Sequence, residues 1–178
     1  ARGWTALYTA VYVPLKEFGR SARTTGEVRR QAIAVLSDGE DTSSLIAFDD
    51  VVALARKMGV NIYTIGLEGA SEVARRLARE DRFSSSAYAM KTLARETGAQ
   101  AFFPGNVHEL KHVYDTIARE LASQYSIAYS PTNTRLDGRF RRILVRVTAD
   151  PSFRPRARTG YTAAPVSSSA EHLPVSLR

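Results

Sequence analysis

The stretch "QAIAVLSDGEDTSS" (residues 31–44) decides the fold, because an apolar run ends abruptly in acidic and hydroxyl side chains. Residues 32–36 are apolar at every position, which is typical of a parallel strand covered by helices on both faces. Gly39 permits a tight exit from the strand. Asp38 follows the strand, so we expect its carboxylate at the carboxyl-terminal edge of a sheet, where α/β proteins bind ligands.

Helical and strand-like patterns alternate on either side of this stretch. A helix is predicted from Thr5, with Pro14 bending or closing its end, followed by a polar loop over residues 19–30. The alternation predicts an α/β fold with a mostly parallel central sheet flanked by helices. The next predicted element is a helix that starts at Thr42, Ser43 or Ser44, buries Leu45 and ends at Gly59. It is followed by a strand over 60–67, a short helix over 71–79, a helix over 87–97 that ends at Gly98, and a strand over 99–104. A capping box of Asn106 and Glu109 then opens a helix that runs to about Gln124.

In the carboxyl-terminal part of the chain, the spacing of apolar residues changes from a helical period to the alternation of strands. Residues 125–131 and 139–148 flank a turn and predict an antiparallel hairpin, with Ile143, Val145 and Val147 on one face. Residues 153–163 add one more extended piece. The predicted organisation is a partial α/β domain over 1–128, a basic β-hairpin extension over 129–165 and a disordered tail over 166–178.

Composition bounds the class of protein. The chain has 178 residues, 44% of them hydrophobic and 24% charged, as expected of one globular domain. No apolar run approaches the roughly 20 residues that a membrane span needs. The absence of cysteine excludes disulfides and thiolate metal sites.

The net charge of +7 is concentrated near the carboxyl terminus, where eight arginines face only Asp137 and Asp150. Such a patch could meet phosphates or an acidic surface, although a solvated hairpin edge is the favoured interpretation. No RNA-binding or zinc-finger motif accompanies it, which argues against a nucleic-acid partner. The arginines are residues 135, 139, 141, 142, 146, 154, 156 and 158.

The motif "HELKH" matches the H-E-x-x-H pattern of zinc hydrolases, with His108 and His112 one helical turn apart. Helical geometry puts both histidines on the face opposite Leu110, away from the buried stripe, so a zinc hydrolase is not favoured. The sequence also has no G-x-S-x-G elbow and no P-loop. We therefore expect no catalytic activity.

Thr5 and Asp38 are the remaining candidates for a site. Both are expected at one sheet edge, and their oxygens suit Mg²⁺ or Mn²⁺. An N-cap role for Thr5 and a plain loop role for Asp38 are equally compatible with the residues.

Several segments together resemble a von Willebrand factor type A domain, and more narrowly the bacterial VWFA-related proteins, in which that domain continues into a β extension. The similarity runs from Gly3 to about Tyr161. It implies a Rossmann-like fold and a metal-ion-dependent adhesion site built from D-x-S-x-S, a threonine matched by Thr5, and the aspartate of an (S/T)-D-G turn matched by Asp38. The segments are "TALYTAVY", "AIAVLSDGEDTSS", "GVNIYTIGL", "LARETGAQAFFP", "VYDTIARELASQYSIAYSPTN" and "DGRFRRILVRV".

The resemblance also implies a function. Such domains bind a protein ligand whose acidic side chain completes the shell of a bound Mg²⁺, Mn²⁺ or Ca²⁺, and they are often secreted or held in the cell envelope. Glu40 and Asp41 match no family ligand; Glu40 is expected in solvent and Asp41 at the start of the next helix.

One part of the family pattern is missing. Residues 41–45 carry Leu45 where D-x-S-x-S needs its second serine, and residues 81–86 carry Phe83 in place of the first. The motif belongs on a strand before Thr5, so without it residues 32–36 would form a bare apolar edge. We expect an amino-terminal portion, or a complementing chain, to supply that strand. The alternative is a type A scaffold without a competent metal site.

Overall fold

The computed structural model describes residues 6–25, 31–38, 41–66, 85–150 and 152–163. Thr5, the predicted helix over 71–79 and the predicted tail over 166–178 lie outside these ranges. The described elements are α1 (Leu7–Thr25), β1 (Ala32–Ser37), α2 (Phe48–Met58), β2 (Asn61–Gly66), α3 (Ser85–Thr97), β3 (Ala101–Phe102), a 3₁₀ turn (Val107–Glu109), α4 (Leu110–Ala122), β4 (Phe140–Arg142) and β5 (Gly160–Thr162).

Strands β1, β2 and β3 form a parallel sheet in that order, and β4 pairs with β5 in a separate antiparallel ladder. The register of β1 on β2 runs from Ala32 opposite Asn61 to Ser37 opposite Gly66. The chain is therefore a mixed α/β protein, as predicted. Among the described residues no helix is both long enough and apolar enough to cross a bilayer.

The central strand β2 separates two hydrophobic cores. On one face Ile62 packs with the apolar stripes of α1 and α2, including Leu15 and Val51. On the other face Tyr63 and Ile65 pack against α4. This arrangement buries both faces of β2, including Thr64, whose hydroxyl donates a hydrogen bond to the Met90 carbonyl at 3.1 Å.

Strand β1 lies at the end of the described sheet, as the sequence predicts for residues 32–36 in the absence of a further strand. Ile33 and Val35 pack on the first core, whereas Ala34 is exposed and Leu36 is 45% exposed on the opposite face. The predicted cover on both faces is therefore wrong for β1. Ala34 and Leu36 are exposed because α4 packs over Tyr63 and Ile65 of β2 and does not cover these two side chains.

Helix α1 continues through Pro14 to Thr25, so the loop predicted over residues 19–30 is wrong for its first seven residues. Leu7, Val11 and Leu15 form one buried stripe across the proline. Tertiary packing of this stripe outweighs the hydrogen bond that Pro14 cannot donate.

Helix α2 begins at Phe48 rather than at Thr42–Ser44. Its N-cap residue Ala47 makes no side-chain hydrogen bond, and its first-turn acids are Asp49 and Asp50 rather than Asp41. Leu45, predicted on the buried face, is 99% exposed. Ser44 instead accepts a hydrogen bond from the Thr9 N–H of α1 and donates one to Asp41.

The helix stops at Gly59 and Gly98 are confirmed, with φ of 68° and 82°. The cap at Asn106 is also confirmed: its Oδ1 accepts a hydrogen bond from the Glu109 N–H at 3.2 Å. It opens the 3₁₀ turn, which leads directly into α4.

The predicted hairpin between residues 125–131 and 139–148 is wrong. β4 pairs with β5 instead, so the extended piece predicted over 153–163 is the true partner. Phe140 of β4 lies under the Arg56 guanidinium, 5.0 Å from its ring centroid, and Thr159 donates a hydrogen bond to Glu96 of α3. Docking on α2 and α3 therefore selects the pairing.

Candidate functional site

Asp38 follows Ser37, the last residue of β1, and its side chain is exposed. The Ser37 hydroxyl donates a hydrogen bond to Asp38 Oδ1 at 3.4 Å. Ser37 lies opposite Gly66, the last residue of β2, so Asp38 is at the carboxyl-terminal edge of the sheet. This is the position predicted from the sequence, and the edge where parallel sheets bind ligands.

The first turn of α1 is attached to the loop that follows Asp38. The Thr9 backbone N–H donates to Ser44 Oγ at 3.0 Å, and Ser44 Oγ donates to Asp41 Oδ1 at 2.7 Å. Thr9 is the third residue of α1, so its N–H has no acceptor within the helix. The loop thus caps α1 from outside and holds its amino terminus at the same sheet edge as Asp38.

A ring contact adds a second link between these elements. The rings of Tyr8 and Phe48 lie 5.4 Å apart between centroids and are tilted by 56°. Burial raises the pKa of the Tyr8 hydroxyl, and the nearby charge of Asp41 raises it further. The first turns of α1 and α2 and the loop between β1 and α2 therefore form one packed unit.

The chemistry of this edge suits a hard cation but supplies only part of a site. Asp38 is exposed and accepts a hydrogen bond from Ser37, and Asp41 accepts one from Ser44. Within the described ranges no three His, Cys, Asp or Glu side chains group closely enough to hold a metal ion. Thr5, the other predicted ligand, lies outside the described residues. The described residues therefore do not form a cation site by themselves, and further oxygens would have to be added to those of Asp38.

The two histidines of "HELKH" are exposed, as the helical geometry predicts. The Glu109 carboxylate between them is used in the helix cap: it accepts from the Gly105 N–H at 3.0 Å and from Asn106 Nδ2 at 2.8 Å. A zinc hydrolase would need that carboxylate as a general base beside the metal. The observed contacts give the motif a structural role.

The arginines between residues 135 and 158 divide into two groups. Arg141 donates to Asp137 at 2.8 Å and is only 19% exposed, and Arg156 forms an ion pair with Glu120. The hydrogen bond from Arg141, assisted by the Arg139 N–H, holds the pKa of the Asp137 carboxyl below its usual range. The remaining arginines, at residues 135, 139, 142, 146, 154 and 158, are exposed.

Glu96 is a half-buried charged residue that the sequence interpretation missed. Its carboxylate accepts hydrogen bonds from Arg56 and Thr159, and Arg95 lies 3.4 Å away. Burial by itself would raise the pKa of Glu96, but the hydrogen bonds from Thr159 and Arg56 more than offset this and hold the pKa below 4.5. The only local sequence signal is an acid next to Arg95, and such a pair is common on surface helices.

Comparison with known proteins gives little further information. No protein-family model matches the chain, and no curated protein is significantly similar to it. A crystal structure of an uncharacterized membrane-spanning protein from Vibrio fischeri is similar over 61% of this chain, with 23% sequence identity and a TM-score of 0.41. This chain spans about half, 53%, of that protein's length. A similarity at this level carries no conclusion about function.

Proposed function

We propose that this chain is a non-catalytic binding domain of the von Willebrand factor type A kind, with a Rossmann-like fold. It binds an acidic protein ligand through a divalent cation held at the sheet edge by Asp38 and Thr5. The observation that carries the proposal is the exposed Asp38 carboxylate directly after β1, at the carboxyl-terminal edge of a parallel sheet.

The anchoring of α1 supports Thr5 as the second ligand. Thr5 precedes Thr9 by about one helical turn in sequence, and Thr9 is hydrogen-bonded to the loop that follows Asp38. In the sequence Thr5 comes two residues before Leu7, the first residue of α1, so we expect its hydroxyl to reach the same edge. Its hydroxyl and the Asp38 carboxylate are hard oxygen ligands of the type that Mg²⁺ prefers.

The bound cation would supply the positive charge that a carboxylate of the protein ligand coordinates. The role of the chain is to orient ligands: Asp38 faces solvent beyond the strand, while Asp41 and Ser44 fix the loop beside it. The further oxygens would come from a D-x-S-x-S loop on a strand next to β1. The edge position of β1 in the described sheet supports such a neighbour.

Metal titration of the intact protein tests the proposal. Calorimetry with Mn²⁺ should show one ion per chain, and Asp38→Asn should weaken its binding about tenfold or more, since a ligand matters at least as much as the groups that orient it. Asp50→Asn removes an equal charge from an exposed position in α2 and should leave Mn²⁺ binding unchanged.

Two outcomes would contradict the proposal. If Asp38→Asn bound Mn²⁺ as tightly as the wild type, Asp38 would not be a ligand. If the wild type bound no Mn²⁺, the chain would instead be a structural type A scaffold without a competent metal site.

A further inference from the structure

A cleft of about 420 Å³ lies between the end of α3, the start of β3 and the extended segment 155–159. It is at the beginning of β3, the opposite sheet edge from Asp38. Among the described residues, the cationic side chains of Lys91, Arg95 and Arg156 line it, and none of the described lining residues is acidic. Arg95 and Arg156 are paired with Glu96 and Glu120, which lie outside the described lining, so the lining itself presents positive charge that these acids partly offset.

The wall formed by residues 155–159 is held firmly in place. The backbone of Ala157 and Arg158 approaches Gly98 so closely that an added Cβ would be 2.7 Å from both residues. Thr159 at the end of the segment donates to Glu96. These contacts fix segment 155–159 against the end of α3 and so define one wall of the cleft.

The cations are positioned by their neighbours. Arg156 is held by its ion pair with Glu120 and its hydrogen bond to Gln100. The Lys91 ammonium lies 5.2 Å from the centroid of the Phe103 ring. The Arg95 guanidinium lies 3.4 Å from the Glu96 carboxylate, and its side chain is 65% exposed. Held cations lose less conformational freedom when a ligand binds them.

Arginines also outnumber acids in the sequence around segment 155–159. The two acids within residues 135–158 already accept hydrogen bonds: Asp137 from Arg141, and Asp150 from the Ser152 N–H at 2.8 Å. Charge complementarity therefore favours an anionic partner along this surface as well as in the cleft.

The geometry points to an acidic peptide segment as the occupant, with its carboxylates in the cleft among Lys91, Arg95 and Arg156, bound without any metal ion. Charge alone would also suit a nucleic acid. Single-stranded nucleic acids, however, bind through aromatic rings on which bases stack, and no aromatic side chain is found among the described residues that line the cleft. A volume of about 420 Å³ accommodates a few side chains.

Fluorescence anisotropy with a short labelled glutamate-rich peptide, in the presence of EDTA, tests this inference on the whole chain. The peptide should bind, and its glutamine analogue should not. The double variant Lys91→Gln/Arg95→Gln should weaken binding about five- to tenfold, equivalent to roughly 1–1.4 kcal/mol. EDTA removes divalent cations and so prevents binding at the proposed cation site. For the same reason, Asp38→Asn should leave the peptide affinity unchanged in this assay.

A matched control removes the same charge elsewhere. Lys57→Gln/Lys111→Gln changes two exposed lysines on α2 and α4, outside the cleft lining, and should leave peptide affinity nearly unchanged. An equal loss in both double variants would mean unspecific attraction and would overturn the inference. The inference would also be overturned if a single-stranded oligonucleotide or anionic lipid vesicles bound more tightly than the peptide and depended on Lys91 and Arg95.

Discussion

Gly98 ends α3 with a φ of 82°, and a Cβ added to it would lie 2.7 Å from the backbone of Ala157 and Arg158. The sequence predicts Gly98 as a helix stop because a left-handed residue is needed there. Its second role, in leaving room for Ala157 and Arg158, depends on a segment about sixty residues later in the chain and could not be predicted from local pattern.

We predict that Gly98→Ala destabilises the protein by about 2–4 kcal/mol, combining left-handed strain with overpacking against the backbone. Gly59→Ala is the matched control, because Gly59 has a similar φ of 68° but nothing within 4 Å of an added Cβ. It should cost only about 1–2 kcal/mol. Urea unfolding measures both values, and equal losses would show that the Gly98 contact contributes nothing.

At the scale of elements, Ser44 joins α1 to the loop that carries Asp38. The sequence identifies the hydroxyls of residues 42–44 as helix-capping groups, and Ser44 does cap a helix. The capped helix is α1, with a separation of 35 residues between Ser44 and Thr9. A pattern indicates that a cap is present but not which helix the folded chain brings to it.

Ser44→Ala should destabilise the protein by about 0.5–2 kcal/mol, because the Thr9 N–H loses its acceptor. Hydrogen exchange should show faster exchange at the Thr9 amide. Ser43→Ala, at an exposed neighbour, is the control. Unchanged protection of Thr9 in Ser44→Ala would mean that the loop does not hold α1.

Glu96 is the element-scale link between the β4–β5 pair and the helices. Because its folded-state pKa is lowered, the ionised carboxylate stabilises the fold above the ordinary pKa of 4.5, and this contribution is lost as the pH falls through the folded pKa. Such a link, between residues far apart in sequence, explains why the strand pairing of β4 could not be predicted from the hairpin pattern.

Glu96→Gln should therefore lower the free energy of unfolding by about 1.5–3 kcal/mol near pH 7, the range for hydrogen bonds to charged groups. The difference from wild type should shrink as the solution is acidified below pH 4.5. Asp115→Asn is the control, since Asp115 pairs with Lys111 in solvent and should matter little. A difference for Glu96→Gln that does not depend on pH would contradict the assignment.

At the scale of the whole molecule, the sequence predicts the parallel sheet better than the carboxyl-terminal part. The predicted strands at 32–36 and 60–67 match β1 and β2, because short, mostly apolar runs rich in β-branched residues have few alternatives in a layered α/β protein. Residues 125–131 and 139–148 also look like strands, but their pairing is decided by docking on α2 and α3. Local alternation carries no information about that choice.

In the candidate site, too, local features could be predicted from the sequence and contacts between separate elements could not. The position of Asp38 was predictable, because the residue after a parallel strand lies at the sheet's carboxyl-terminal edge. The network of Thr9, Ser44 and Asp41 that supports this edge was not, since it joins separate elements.

The most direct measurement locates the bound metal ion by NMR. Mn²⁺ added to the intact protein should broaden the amide signals of Ser37, Asp38 and Asp41 first, through paramagnetic relaxation. Signals at the opposite sheet edge, such as Asn61 and Gln100, should persist, and Asp38→Asn should abolish the selective broadening. Broadening centred on any other region, or unchanged by Asp38→Asn, would contradict the assignment of Asp38 as a metal ligand.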